Sequence, residues 1–202
     1  MAKDACDIEI EKLNEPIGKQ DQYAAAFGGL NIFRFSSSGS VDVERIHLQR
    51  EIYKTLQNNL LMFYTGQQRS ASSILSEQKE NMQAKVNFQI LCDMVGLVDE
   101  LRDVLYAGNL REFGTILHKG WLAKQKLASK ISSPQINDIY ALALKGGAVG
   151  GKVLGAGGGG FLLLYCEKEQ QTKLRATLSE FRELKFKLEN DGSKLIHADD
   201  EY

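Results

Sequence analysis

The chain has 202 residues, 43% of them hydrophobic and 25% charged, a balance that supports a packed core and excludes disorder over most of its length. Lysine plus arginine number 25 against 26 for aspartate plus glutamate, so a net charge of -1 supplies no overall field to draw the chain onto nucleic acid or an anionic membrane. No apolar run approaches the roughly 20 residues of a membrane span, and the charged opening MAKDACDIEIEKL has no apolar signal segment, so a cytoplasmic location is expected. Cys6, Cys92 and Cys166 lie far apart and read as reduced thiols, and His47, His118 and His197 lack metal-ligand spacing, so no metal site is read.

Ala2, Cys6, Ile10 and Leu13 recur at three- and four-residue spacing and predict an opening helix, which Asn14, Pro16 and Gly18 break. DQYAAAFGG predicts a short helical turn closed by Gly28 and Gly29. LNIFRF and VDVERIHL, joined by SSSGS, predict two strands that end a first unit near Leu48. A second unit opens from Asn59 with LLMFYTG, a continuous apolar run suited to a buried strand. Helical spacing follows in QQRSASSILSEQK, from Val86 to Leu105 and from Leu110 to Ala128. Ser132 and Ser133 are candidate N-caps for a further helix with Pro134 in its first turn, stopped by Gly146 and Gly147. GKVLGA and FLLLYCE predict strands around a glycine run, a helix follows from about Gln170 to Phe181, and LKFKLEND turning through Asp191 and Gly192 into SKLIHAD predicts a final hairpin. The order strand, helices, strand, strand, helix, strand is the ferredoxin-like split β-α-β pattern with inserted helices, an α+β class.

Three stretches carry candidate chemistry. Of the nineteen glycines, nine fall between Gly146 and Gly160, in KGGAVGGKVLGAGGGGFLLLY. Glycines between two strands serve a backbone at positive φ, a close approach of another element, or exposed N–H groups for an anion, and all three readings fit. The run is neither a dinucleotide-binding fingerprint nor a phosphate loop closed by Lys and Ser or Thr. In GKQDQYAAAFGGLN, Asp21 stands at a helix start among small residues, as a cap or as a working carboxylate. In FYTGQQRSASSIL, Thr65, Gly66, Arg69 and Ser70 stand at a strand end and helix entry, which suits a phosphate or carboxylate as well as it suits a capped helix with a surface arginine.

Occurring together in this order, the three stretches resemble the GHMP kinase superfamily, and within it the pair GKQDQYAAAFGGLN and FYTGQQRSASSIL is most similar to bacterial kinases acting on D-glycero-D-manno-heptose 7-phosphate. The resemblance implies a sugar kinase of carbohydrate metabolism that transfers the γ-phosphoryl group of ATP, with Mg²⁺, to a hydroxyl of a sugar or sugar phosphate. It assigns Asp21 as the catalytic carboxylate, Gly155, Gly157, Gly158 and Gly159 as a wall beside the nucleotide phosphates, and Thr65 and Arg69 as the hold on the phosphate of the sugar. It makes residues 1–48 the end of a ribosomal S5 domain 2-like N-terminal domain and residues 59–202 a ferredoxin-like C-terminal domain. The ATP-binding signature of the superfamily, Pro-x-x-x-Gly-Leu-Gly-Ser-Ser-Ala, should precede the Asp21 segment, where MAKDACDIEIEKLNEPIG stands instead. The chain is therefore expected to be a C-terminal portion of a kinase, truncated or split, and inactive alone. Its partners are expected to be a sugar-phosphate substrate and either the missing N-terminal half or a second copy, because strands from Leu30 to Leu48 would leave an edge uncovered; nucleic acid and membrane are not expected. The alternative is a noncatalytic module, derived from the kinase, that binds a sugar phosphate or a protein.

Overall fold

The computed structural model describes residues 1–66, 74–77, 85–128, 131–155 and 157–196. They form two compact units, Met1–His47 with the segment from Lys187 onward, and Leu48–Phe186.

In the first unit the opening helix α1, Ala2–Cys6, runs into a π-helical stretch, Asp7–Lys12, and Asn14 at φ 55° ends it. Helix α2, Gln20–Phe27, precedes a hairpin of β1, Asn31–Phe35, and β2, Val41–Arg45, paired antiparallel with Phe33 opposite Val43. Strand alternation puts Phe33 and Phe35 on one face, where Tyr23 of α2 meets both edge-on with ring centroids 6.1 and 6.0 Å away. Of the final hairpin expected from LKFKLEND and SKLIHAD, residues 197–199 lie outside the described residues, and the described residues 185–196 contain no strand. Their backbone instead closes on α2 and the following turn. Gly29 N–H donates to Glu189 O at 2.8 Å, Ser193 N–H to Ala25 O at 3.1 Å, and Arg45 reaches Asn190 O at 2.6 Å. The approach is close enough that a Cβ on Gly192 would lie 2.0 Å from Ala26 O. Two glycines expected to close turns, Gly28 and Gly192, thus allow the close approach of the tail to the end of α2.

The second unit begins with α3, Arg50–Asn59, followed by β3, Leu60–Tyr64. After a helical turn at residues 74–77 come α4, Lys85–Tyr106, α5, Leu110–Lys124, and α6, Pro134–Lys145. Strands β4, Gly150–Val153, and β5, Phe161–Tyr165, enclose the glycine loop, and α7, Gln171–Thr177, leads to a short β6, Glu183–Leu184. The four strands are antiparallel in the order β4-β5-β3-β6.

Register explains the core. Leu61 pairs with Leu164, Phe63 with Leu162, and Leu162 in turn with Val153, so one face of the sheet is continuously apolar. Helix α6 lays Ile136, Ile139, Tyr140 and Ala143 on it at helical spacing, and Leu174 of α7 and Leu178 just beyond that helix close it. Serine 133 caps α6, with Ile136 N–H donating to its Oγ at 3.2 Å, and Gly146 caps the other end. Ser132, the other cap candidate, shares its proton with Asn137 instead.

Candidate functional site

The glycine run divides into two halves with different physics. In Gly146–Gly151 the missing side chains allow elements to touch: a Cβ on Gly150 would lie 2.1 Å from Gly114 O of α5, and one on Gly151 would lie 2.2 Å from Leu163 O. Helix α5 can rest on β4 only because both partners lack a side chain there. In the second half the reason is conformational. Gly155, Gly157, Gly158, Gly159 and Gly160 all have positive φ, from 73° to 153°, a path that residues bearing a Cβ rarely follow. Around Gly155 and Gly160 a Cβ would meet nothing within 4 Å, so there the glycines keep an open wall rather than a packed one.

This loop is pinned at three points. Lys124 Nζ, at the end of α5, donates to Gly155 O at 2.7 Å. Gly158 N–H donates to Ile131 O at 2.8 Å, and a Cβ on Gly157 would crowd that same carbonyl at 2.8 Å. Gly160 O accepts from both the backbone N–H and the hydroxyl of Thr65, at 2.9 and 3.0 Å. Thr65 is buried, and strand β3 delivers it to the loop because Tyr64 pairs with Phe161 at the mouth of the hairpin. The structure therefore brings Thr65 together with the glycine loop, and the Thr65 proton is spent on the loop itself. A peptide tip held at three places presents its backbone dipoles in a fixed direction, which is what binding an anion without reorganisation requires.

The other two site candidates stand apart from this description. Asp21 lies in the first turn of α2, exposed, one residue beyond the first helical position, while Lys19 is the N-cap. It makes no hydrogen bond or ion pair among the described residues, so its carboxylate neither caps the helix nor is tied to a cation. Its position does complement the helix dipole. Arg69 lies outside the described residues.

Sequence reasoning missed Lys124, whose only signal was its position at the end of an amphipathic helix. It also missed a polar knot beside Ile131, where Gln125 Nε2 donates to Asn137 Oδ1 at 2.9 Å and Ser132 Oγ donates to the same oxygen at 2.6 Å. Behind β4, Tyr140 OH lies 2.8 Å from His118 Nδ1 and 3.3 Å from Gly151 O, with the two rings stacked. Burial pushes the Tyr140 phenol above its ordinary range, which keeps it protonated and makes it a fixed strut rather than a proton donor. Burial likewise pushes the Cys166 thiol up to about 11, so this buried cysteine is inert at neutral pH. Among the described residues no group of three His, Cys, Asp or Glu is placed to hold a metal ion.

Residues 101–183 match the family model described as GHMP kinases C terminal. The chain is 29% identical over 174 residues to the D-glycero-alpha-D-manno-heptose 7-phosphate kinase of Campylobacter jejuni, a match that spans 86% of this chain and 51% of that protein. A D-glycero-D-manno-heptose 1-phosphate kinase structure from Bacteroides thetaiotaomicron superposes with a TM-score of 0.63 at 25% identity, covering 97% of this chain and 55% of the other. A mevalonate kinase structure, at 21% identity, shares the fold with a TM-score of 0.70, over 94% of this chain and 56% of its own. The chain thus spans about half the length of these relatives. The matched segment, which runs from the end of α4 across α5, α6, the pinned glycine loop and α7, is thus similar to the C-terminal domain of the GHMP kinases.

Proposed function

We propose that this chain forms one part of an ATP-dependent kinase that phosphorylates a hydroxyl of a sugar phosphate, with D-glycero-D-manno-heptose 7-phosphate as the substrate. The observation that carries this reading is the pinned glycine loop, lying inside the segment that matches the GHMP C-terminal model, in a chain similar over 86% of its length to a heptose 7-phosphate kinase. In the same reading the second unit is the ferredoxin-like domain of that kinase, supported by its strand order β4-β5-β3-β6, and residues 1–48 are the end of an S5 domain 2-like domain.

ATP supplies the phosphoryl group when bound. The loop's open space at Gly155 and Gly160 fits a wall against phosphate oxygens. The described residues do not by themselves build a cage for Mg²⁺, and no role here depends on one. Asp21 orients the acceptor hydroxyl and takes its proton late. A carboxylate is a weak base toward a sugar hydroxyl, which suits a loose transition state in which positioning outweighs proton abstraction. Arg69 binds the phosphate already on the sugar by a bidentate contact, and Thr65 fixes the loop beside it.

The test is ADP release with heptose 7-phosphate. The 202-residue chain alone is expected to release none above background, and turnover is expected once a segment bearing the Pro-x-x-x-Gly-Leu-Gly-Ser-Ser-Ala loop is supplied. In that assembled enzyme Asp21→Asn is expected to lower kcat by about 100-fold or more while leaving sugar-phosphate KM within about threefold. Arg69→Ala is expected to raise that KM. Turnover that survives Asp21→Asn sinks the catalytic role, and sugar-phosphate binding unaffected by Arg69→Ala sinks the anchor.

A further inference from the structure

A cleft of about 590 Å³ opens in the second unit between the end of α3, the turn from α4 into α5, and the segment after β5. Leu60 pairs with Tyr165 at this end of β3 and β5, and Tyr64 with Phe161 at the other, so the glycine loop lies roughly 13 Å away along the strands. Nothing in the proposed kinase reaction uses the cleft. Its charged lining side chains are two cations, Arg111 and Lys168, and two carboxylates, Glu167 and Glu169, with Arg111 paired to Glu167 at 2.5 Å, so the wall carries no net charge to select an ion. The neutral polar groups are less fully engaged. Asn59 and Tyr165 both line the cleft and are 6% and 1% exposed. Asn59 Nδ2 donates to Tyr165 OH at 2.9 Å, and among the described residues Asn59 Oδ1 has no donor and the Tyr165 proton no acceptor. Burial pushes the Tyr165 phenol above its ordinary range, so that proton stays in place at neutral pH. The exposed carboxamides of Asn58 and Asn109 also line the cleft and make no hydrogen bond among the described residues, although Asn109 is the N-cap of α5.

We propose that this cleft is a binding site for a neutral polyhydroxylated ring of pyranoside size, separate from the glycine loop. A carboxamide offers an acceptor and two donors in one plane, and a ring hydroxyl both donates and accepts. Three carboxamides and a phenol are therefore matched by several neighbouring hydroxyls and not by a single charged head. In the complex one ring hydroxyl donates to Asn59 Oδ1 and another accepts from Tyr165 OH, which satisfies the two buried groups for which an unmade bond costs most. The carboxamides of Asn58 and Asn109 take the hydroxyls on the outer edge of the ring. No existing contact has to break, since the Arg111–Glu167 pair and the Asn59–Tyr165 bond both remain. The inference stands on the cleft alone and does not rest on the phosphoryl transfer proposed above.

The test is an NMR titration of the full isotope-labelled chain with the methyl α-pyranosides of D-glucose, D-galactose and D-mannose. At least one is expected to give saturable shifts with Kd below about 5 mM. The shifts are expected at the backbone amides of Asn109 and Tyr165 and at the side-chain amides of Asn58, Asn59 and Asn109, while Gly155 and Gly157 stay still. Tetrahydropyran-2-methanol, the same ring with one hydroxyl, is expected to bind at least about tenfold more weakly, and the corresponding methyl uronoside, which carries a carboxylate, no more tightly. Tyr165→Phe keeps the ring and removes the proton, and is expected to weaken binding about fivefold. Asn58→Ala combined with Asn109→Ala changes two exposed side chains that have no bond to lose, and is expected to weaken it at least as much in a chain whose fold is unaltered. No saturable shift by about 50 mM with any of the three sugars, equal affinity for tetrahydropyran-2-methanol, binding unaltered by the Asn58→Ala and Asn109→Ala pair, or shifts centred on the glycine loop overturns the site. Tighter binding of the uronoside overturns the neutral class of ligand.

Discussion

Gly150 and Gly155 sit five positions apart in one glycine run and are expected to fail differently when given a methyl group. At Gly150 the added carbon would lie 2.1 Å from Gly114 O and 2.8 Å from His118 Cβ, so α5 must lift off β4. Gly150→Ala is expected to cost at least about 2 kcal/mol. At Gly155 the carbon meets nothing within 4 Å, and only its φ of +73° resists, so Gly155→Ala is expected to cost about 1 kcal/mol. Urea denaturation of the two variants checks the order; equal losses would show that close packing is not what Gly150 provides. The density of glycines was visible in the chain, but which half serves packing and which serves conformation was not, because that depends on the element lying opposite. The same holds for Thr65. Its hydroxyl signalled a polar role, while the acceptor, Gly160 O, lies 95 residues away. For Cys166 the folded thiol titrates near 11 and an unfolded one near about 8.5. With the folded pKa raised, its stabilising contribution is complete below about pH 8.5 and is lost as pH climbs toward 11. Urea midpoints at pH 8 and pH 10 are therefore expected to fall further apart in the wild type than in Cys166→Ala.

At the scale of elements, helices with a clear apolar stripe and a start signal were legible. The stretch predicted from Val86 to Leu105 forms α4, Lys85–Tyr106, and the Ser133-Pro134 start of α6 is where the spacing put it. Ser133→Ala removes the oxygen that accepts from Ile136 N–H, and is expected to lower stability by about 1 kcal/mol in thermal or urea melts, with little change for Ser132→Ala in the same assay. Helix α3 escaped the sequence reading. Arg50–Asn59 buries only Leu56 and Asn59, and its other apolar residues, Ile52 and Tyr53, are half-buried within one turn of Leu56, so its apolar stripe is too short to announce a helix. What holds it is tertiary: Asn59 Nδ2 donates to Tyr165 OH at 2.9 Å, and Gln171 Nε2 reaches Asn58 O at 2.7 Å. The expected last hairpin failed for the converse reason. LKFKLEND alternates like a strand, yet the partner that satisfies its neighbours' backbone groups is the turn after α2, where Gly28 leaves room for it.

At the scale of the whole molecule, the likeness to the GHMP kinases was legible because three short motifs stand in order, and motif order survives where the course of the backbone does not show. The return of the tail to the first unit left no such trace. Residues 1–47 alone offer a helix, a π-helical stretch, a second helix and a two-stranded hairpin, and two strands are marginal in water without further cover. The tail supplies some of that cover, through Glu189 O on the Gly29 N–H, Ala25 O on the Ser193 N–H, and Asn190 O on Arg45. Deleting residues 187–202 is therefore expected to speed amide exchange throughout the first unit, most at Gly29 and Ile32, while amides of β3 and β5 keep their protection, because the register from Leu60↔Tyr165 to Tyr64↔Phe161 lies wholly inside the second unit. Hydrogen exchange followed by mass spectrometry reads both sets at once. Equal loss in the two units would mean that the molecule opens as one cooperative body, and unchanged protection in the first would mean that its helices and hairpin stand without the tail.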